Sequence, residues 1–379
     1  MSVTKVTDDN IVSMESSKLS GSMPAIDGSS LTGIPGVTKS ASDPATDTNP
    51  SGGVGTLWLN TTSAELYTCT DATTDANVWY NVGGGDGDVQ PYVFQGTVAG
   101  FASGGIPTAT TINKYSFTSD GNATTHGNLT SRGNMRFATG VSSKTHGYTV
   151  GGGTSNVIDK FAFAGSGVTA TDVGDMTAST FDRTMTSSTE THGYAAGGEA
   201  PTAHTNIDKI AYASDGNSVD SGSDLSVARH SGTGHTSSTH GYAAMGNPNS
   251  STRLNTIDKY AFASSGTASD VGDLTAARDS GAGSSSSTHG YAAGGYDGST
   301  NFNVIDRFPF ASDTNATDWA DLTRGSRHLA GSSSTTHGYA AGGLSSVDVI
   351  DKWSHVSNTN ATDVGNLVAG KDGMAGNHN

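Results

Sequence analysis

The chain has 379 residues and a formal charge of −16, with 52 glycines, a single cysteine and only 14% charged residues. The acidic balance and the lack of a basic stripe argue against binding nucleic acid through its phosphates, and one cysteine rules out an intramolecular disulfide. The opening MSVTKVTDDNIVSM has no apolar run long enough for a signal peptide or a membrane span. Abundant Gly, Ser, Thr, Asn and Asp suit short strands and tight turns, and suit long helices badly.

In chain order, residues 1–35 scatter isolated apolar residues among polar ones. They cannot bury a core alone and read as an extended arm ordered by a partner. Residues 36–53, GVTKSASDPATDTNPSGG, read as a linker by composition. Residues 54–82 read as a small β module. Leu57 and Leu59 face Leu66 and Tyr67 across a turn, and NVWYNVG adds a third strand. So small a module is marginal alone. Its Trp58, Trp79 and Tyr80 are expected to be exposed and to favour self-association, as a trimer in a fibre-like protein. Residues 83–91 begin GGGDGD and read as a flexible joint.

From residue 92 to 379 the chain repeats. The phrase "Gly-aromatic-x-x-Gly-Gly" places its aromatic at Phe101, Tyr148, Tyr194, Tyr242, Tyr291 and Tyr339, 46 to 49 residues apart. A second phrase, "Ile-Asp-Lys-aromatic", places its acid or amide at Asn113, Asp159, Asp208, Asp258, Asp306 and Asp351. Two phrases in one phase make six units. Within a unit the period is two: Tyr260 and Phe262 share a face, as do His289 and Tyr291. Four short strands per unit, six times over, predict an all-β, six-bladed propeller. The final AGKDGMAG (369–376) matches AARDSGAG (276–283), so the C-terminus begins a blade that the stretch from Pro91 to Gly105 completes.

These units resemble kelch repeats. The double glycines Gly197-Gly198, Gly294-Gly295 and Gly342-Gly343 carry the likeness. So do the following aromatic strands and a trailing base at Arg132, Arg183, Arg229, Arg278, Arg324 or Arg327, and Lys371. The kelch tryptophan survives only at Trp319, with Val173, Val271 and Val364 elsewhere. IDGSSLTGI (26–34), the stretch 55–83 and the THGY-GG phrases also resemble tail-fibre and appendage proteins of tailed phages of marine bacteria. That resemblance implies a structural virion protein, made in the host cytoplasm. Residues 1–35 would attach it to other virion proteins, and the propeller would face a host-surface glycan or protein.

The histidine of each THGY phrase, His146, His192, His240, His289 and His337, is expected to pack blade against blade, since a residue needed in every copy belongs to the architecture. His126, in TTHGN, falls at a core-valine position and is outside that series. No metal site, cofactor or catalytic set stands out against the repeat background, so no enzyme activity is expected. Three departures from the repeat, 198–206, 246–256 and 294–303, all follow the THGY strand and should emerge on one face. His204, Arg253, Tyr296 and Phe302 are their exposed groups and the candidate recognition residues. The alternatives are a propeller lyase or hydrolase acting on host polysaccharide, and a capsid or tail decoration with no receptor role.

Overall fold

The computed structural model describes residues 36–82, 93–107, 110–130, 135–153, 155–178, 184–199, 202–249 and 251–379. The expected arm at 1–35 and the joint at 83–91 lie outside them, as do Arg132 and Arg183. Every regular element among the described residues is a strand, so no helix there is long and apolar enough to cross a membrane. Contacts divide the chain into two units, residues 1–91 and 92–379.

In the first unit, Thr38–Ser40, Leu57–Asn60, Leu66–Asp71 and Val78–Asn81 form one sheet in chain order. The first strand runs parallel to the second. The stretch expected as a linker is therefore part of the module. Polar side chains do the packing: Asn77 donates to the Thr46 carbonyl at 2.8 Å, Asn60 to Asp43 at 2.7 Å and Asn49 to Asp75 at 2.7 Å. Trp79 is not exposed. It is fully buried with Tyr67 and Cys69, and Trp58 packs edge-on against it. Of the three expected aromatics, Tyr80 alone is exposed.

The second unit is a six-bladed β-propeller. Each blade is built on four antiparallel strands that run outward in the order of the repeat, with a short parallel fifth added at the edge of the first and third; in the fifth blade the four are Ala282–Ser285, His289–Ala293, Val304–Pro309 and Thr317–Asp321. The innermost strands are Thr139–Ser142, Met185–Ser188, Thr233–Thr236, Ala282–Ser285, Ala330–Ser333 and, for the first blade, Asp372–His378. The last of these pairs with Ala99–Ile106, so the two ends of the repeat region share one sheet and close the ring.

Three rings of contacts join the blades. At the axis, a Cβ on Gly140, Gly234, Gly283, Gly331 or Gly376 would strike a backbone carbonyl of the preceding blade. Only residues without a side chain let five of the inner strands approach so closely. Below this, each inner-strand N–H donates to the next blade: Ser142 to Ser188, Ser188 to Thr236, Thr236 to Ser285, Ser285 to Ser333, Ser333 to His378 and His378 back to Ser142, at 2.9–3.4 Å. Burial pushes the His378 imidazole down to about 4, so it stays neutral. Its Nδ1 then accepts from Ser333 while Nε2–H donates to the Phe94 carbonyl at 2.7 Å.

Farther out, the repeated aspartate accepts from a threonine or serine of the preceding blade, as Asp306 does from Thr275 and Asp351 from Thr323. Arg229–Asp258 and Arg278–Asp306 are fully buried ion pairs at 3.0 Å. In the first blade Asn113 and Lys371 take these places, and Lys371 donates to the Gly104 and Thr111 carbonyls. Burial lowers the Lys371 pKa to about 8. On the outside, Lys160–Asp215, Lys259–Asp313 and Lys352–Asp120 clasp alternate junctions, giving the ring a two-blade period.

Candidate functional site

The histidine series belongs to a hairpin turn. Each imidazole starts the second strand of its blade, half-buried, with Nδ1 2.8 Å from the hydroxyl of the threonine before it. The histidine N–H bonds a hydroxyl three residues back (Ser143, Thr189, Ser237, Ser286 or Ser334), and the histidine carbonyl accepts that residue's N–H. Burial, then a nearby cation (Lys160, Lys209, Lys259, Arg307 or Lys352), holds the imidazoles below the ordinary histidine range. These contacts are local. Contact with the next blade comes instead from the serine run just before the phrase, the inner strand of the blade. His126 is buried in the outer strand of the first blade, against Phe101 and Phe161, with Nε2 2.8 Å from the Ala162 carbonyl.

The three irregular loops join the second and third strands of blades three, four and five, so they share one face. Beside them lies the mouth of the axial channel. Among the described residues its rim is a left-handed residue at the entry to five of the six inner strands: Phe137, Ser231, Ser280, His328 and Gly373, with φ between 57° and 70°. Backbone bonds link them in series, Ser280 N–H to Ser231, His328 to Ser280, Gly373 to His328 and Phe137 to Gly373, at 2.6–3.1 Å. Three of these residues, Ser231, Ser280 and His328, floor a cleft of about 490 Å³ between the loops.

The residue before each rim position projects toward this mouth. Among the described blades these are Arg136, His230, Asp279, Arg327 and Asp372. Arg136 pairs with Asp372 at 2.9 Å. Against the upward push of burial, His328 and Arg136 bring the Asp372 carboxyl below the usual range. Asp279 accepts from Arg253 Nε at 2.9 Å, Asn247 Nδ2 at 2.9 Å and Ser280 Oγ at 2.8 Å. His230 lies 3.8 Å from Glu199. Arg327 differs. Its guanidinium makes no hydrogen bond or ion pair with any described residue, its Nε is buried, and it stacks 3.8 Å over the Tyr296 ring. Arg253 approaches the same ring at 5.5 Å.

Of the four candidate recognition residues, Arg253 and Tyr296 line the cleft and His204 and Phe302 do not. His204 is half-buried, with both ring nitrogens shielded from solvent and its pKa lowered by burial. Phe302 packs under the buried Arg278 guanidinium at 5.5 Å. Both serve the loop bases rather than the surface. Arg327 was legible only as one of two bases in TRGSR. Arg324 reaches the Gly342 carbonyl at 2.8 Å, which leaves Arg327 to the cleft. Among the described residues no three His, Cys, Asp or Glu side chains gather as a metal would require.

No family model and no curated protein matches the chain. Solved structures do match. The chain is similar in fold to a protein described as YjhT. The likeness has a TM-score of 0.54 and spans 64% of this chain and 86% of that one, at 11% sequence identity. At that identity it speaks for the fold alone.

Proposed function

We propose that this chain is a non-enzymatic recognition propeller of a virion, and that it grips a host-surface glycan in the cleft over its axis. The observation that carries the reading is the convergence of three irregular loops and a ring of ionisable side chains on one mouth of an otherwise regular propeller. Elsewhere the repeat places the same residues at equivalent positions; here it breaks. A polar cleft of this size suits a polyhydroxylated ligand held by hydrogen bonds, within the usual range of ligand sites. Asp279, which lines the cleft, is engaged by Arg253, which suits a fixed binding wall better than a general acid.

Virion attachment through residues 1–35 rests on the phage-like phrasing of that segment, and a trimer would multiply a modest affinity per copy. The test uses labelled full-length chain on host cells, with purified host polysaccharide as competitor. Tyr296→Ala should abolish a saturable, competed signal, and the polysaccharide should keep its length. Shortened polysaccharide would replace this reading with the hydrolase or lyase; binding unaffected by Tyr296→Ala would move the site elsewhere.

A further inference from the structure

The chemistry of the cleft narrows its ligand further, on the reading just given that it holds a glycan. The other described arginines at the mouth each face a carboxylate, Arg136 facing Asp372 and Arg253 facing Asp279, and the His230 ring lies 3.8 Å from Glu199. Arg327 occupies the position equivalent to Asp279 in the preceding blade, yet no carboxylate answers it among the described residues. A guanidinium on a protein with a net charge of −16 has many acidic groups available to it. This one is instead held flat on Tyr296, whose hydroxyl is tied to the Gly298 carbonyl at 2.6 Å. Stacking fixes the plane of the guanidinium and leaves its N–H edge for a partner, the arrangement in which arginine grips a planar or tetrahedral oxyanion by two parallel bonds. Its Nε is shielded from solvent, so the two Nη groups, which bond no described residue, are the donors of that fork.

We infer that Arg327, stacked on Tyr296, is the anchor for an anionic group on the glycan, a carboxylate or a sulfate ester, and that the cleft selects acidic over neutral saccharides. His328 and Asn247, on the same cleft, are placed to bond neighbouring hydroxyls.

The experiment is calorimetric titration of the full-length chain with three size-matched oligosaccharide series: neutral, uronic-acid-bearing and sulfated. Wild type should bind at least one acidic series more tightly than the neutral one, and whichever acidic series binds identifies the group. Arg327→Gln should weaken that binding about tenfold or more without changing the melting temperature, because no described residue hydrogen-bonds the guanidinium. Arg327→Lys, which keeps the charge but loses the fork, should fall between. Neutral binding that is abolished by Tyr296→Ala and untouched by Arg327→Gln would overturn the anion anchor and leave the glycan cleft standing. Acidic binding that survives Arg327→Gln also overturns the anchor. Binding of none of the three series would overturn both.

Discussion

Ser285→Ala separates the two accounts of what joins the blades. The Ser285 hydroxyl accepts the Thr236 N–H at 3.1 Å across the junction of blades four and five, and both residues are buried. Removing it leaves a buried amide without its acceptor, a loss of about 1–3 kcal/mol. A cavity of about 60 Å³ at this end of the channel, lined by both residues, can admit a water to the vacated amide. The expected cost is therefore at the low end, about 1 kcal/mol, or a fall of about 2–4 °C in melting temperature. Ser285→Thr, the residue that blade four has at this place, keeps the hydroxyl and should unfold like wild type. His289→Ala, four residues on, loses an exposed bond to the adjacent Thr288 and a loose contact with the Tyr291 ring, and should cost about 0.5 kcal/mol. Calorimetric or denaturant unfolding of the three variants decides the matter. If His289→Ala costs more than Ser285→Ala, the imidazoles and not the hydroxyl ring hold the blades together.

Gly234→Ala should be far worse than either, because its Cβ meets the Thr186 backbone and not a movable side chain; a fall of more than about 1–3 kcal/mol in unfolding free energy is expected, and an unchanged midpoint would deny the close approach at the axis. Arg229→Met strands Asp258 in the core and should destabilise by about 3–5 kcal/mol, read from urea unfolding. Deleting residues 372–379 removes the inner strand of the first blade and should destroy the single cooperative transition; an unaltered melt would mean the ring does not close there. Lys371 gives a pH signature. Its folded pKa of about 8 lies below the unfolded value of about 10.4, so the unfolded state holds more protons in between, and stability should rise with pH from about 8 to 10.4 by up to about 3 kcal/mol. The melting-temperature slope over that window should flatten in Lys371→Met; equal slopes would mean the ammonium is not desolvated.

The six-fold phase was legible because two phrases recur together, each with the period of a strand. Closure was legible because 369–376 repeats the start of a blade it cannot finish. The innermost strand was legible as the fourth of each unit, but its role was not: its glycines are dictated by backbone contact at the axis and its hydroxyls by bonds to the next blade. Hydrophobic periodicity carries no signal for a strand that packs through its backbone. Composition misread 36–53 for a related reason, since Asn and Asp side chains substitute there for an apolar core. That the three irregular loops share one face was visible as a break in the repeat. Which loop residues support the fold and which line the cleft was not, because Phe302 packs under Arg278 and the His204 nitrogens are shielded only in the folded loops.

The most direct test of the recognition account is a crystal structure of the full-length chain with an acidic oligosaccharide from the host surface. The account predicts the sugar in the cleft over the axis, its anionic oxygens on the Arg327 guanidinium above Tyr296, and an intact glycosidic chain. A ligand seated on the blade edges or at the opposite mouth of the channel, with the cleft holding only solvent, would contradict it.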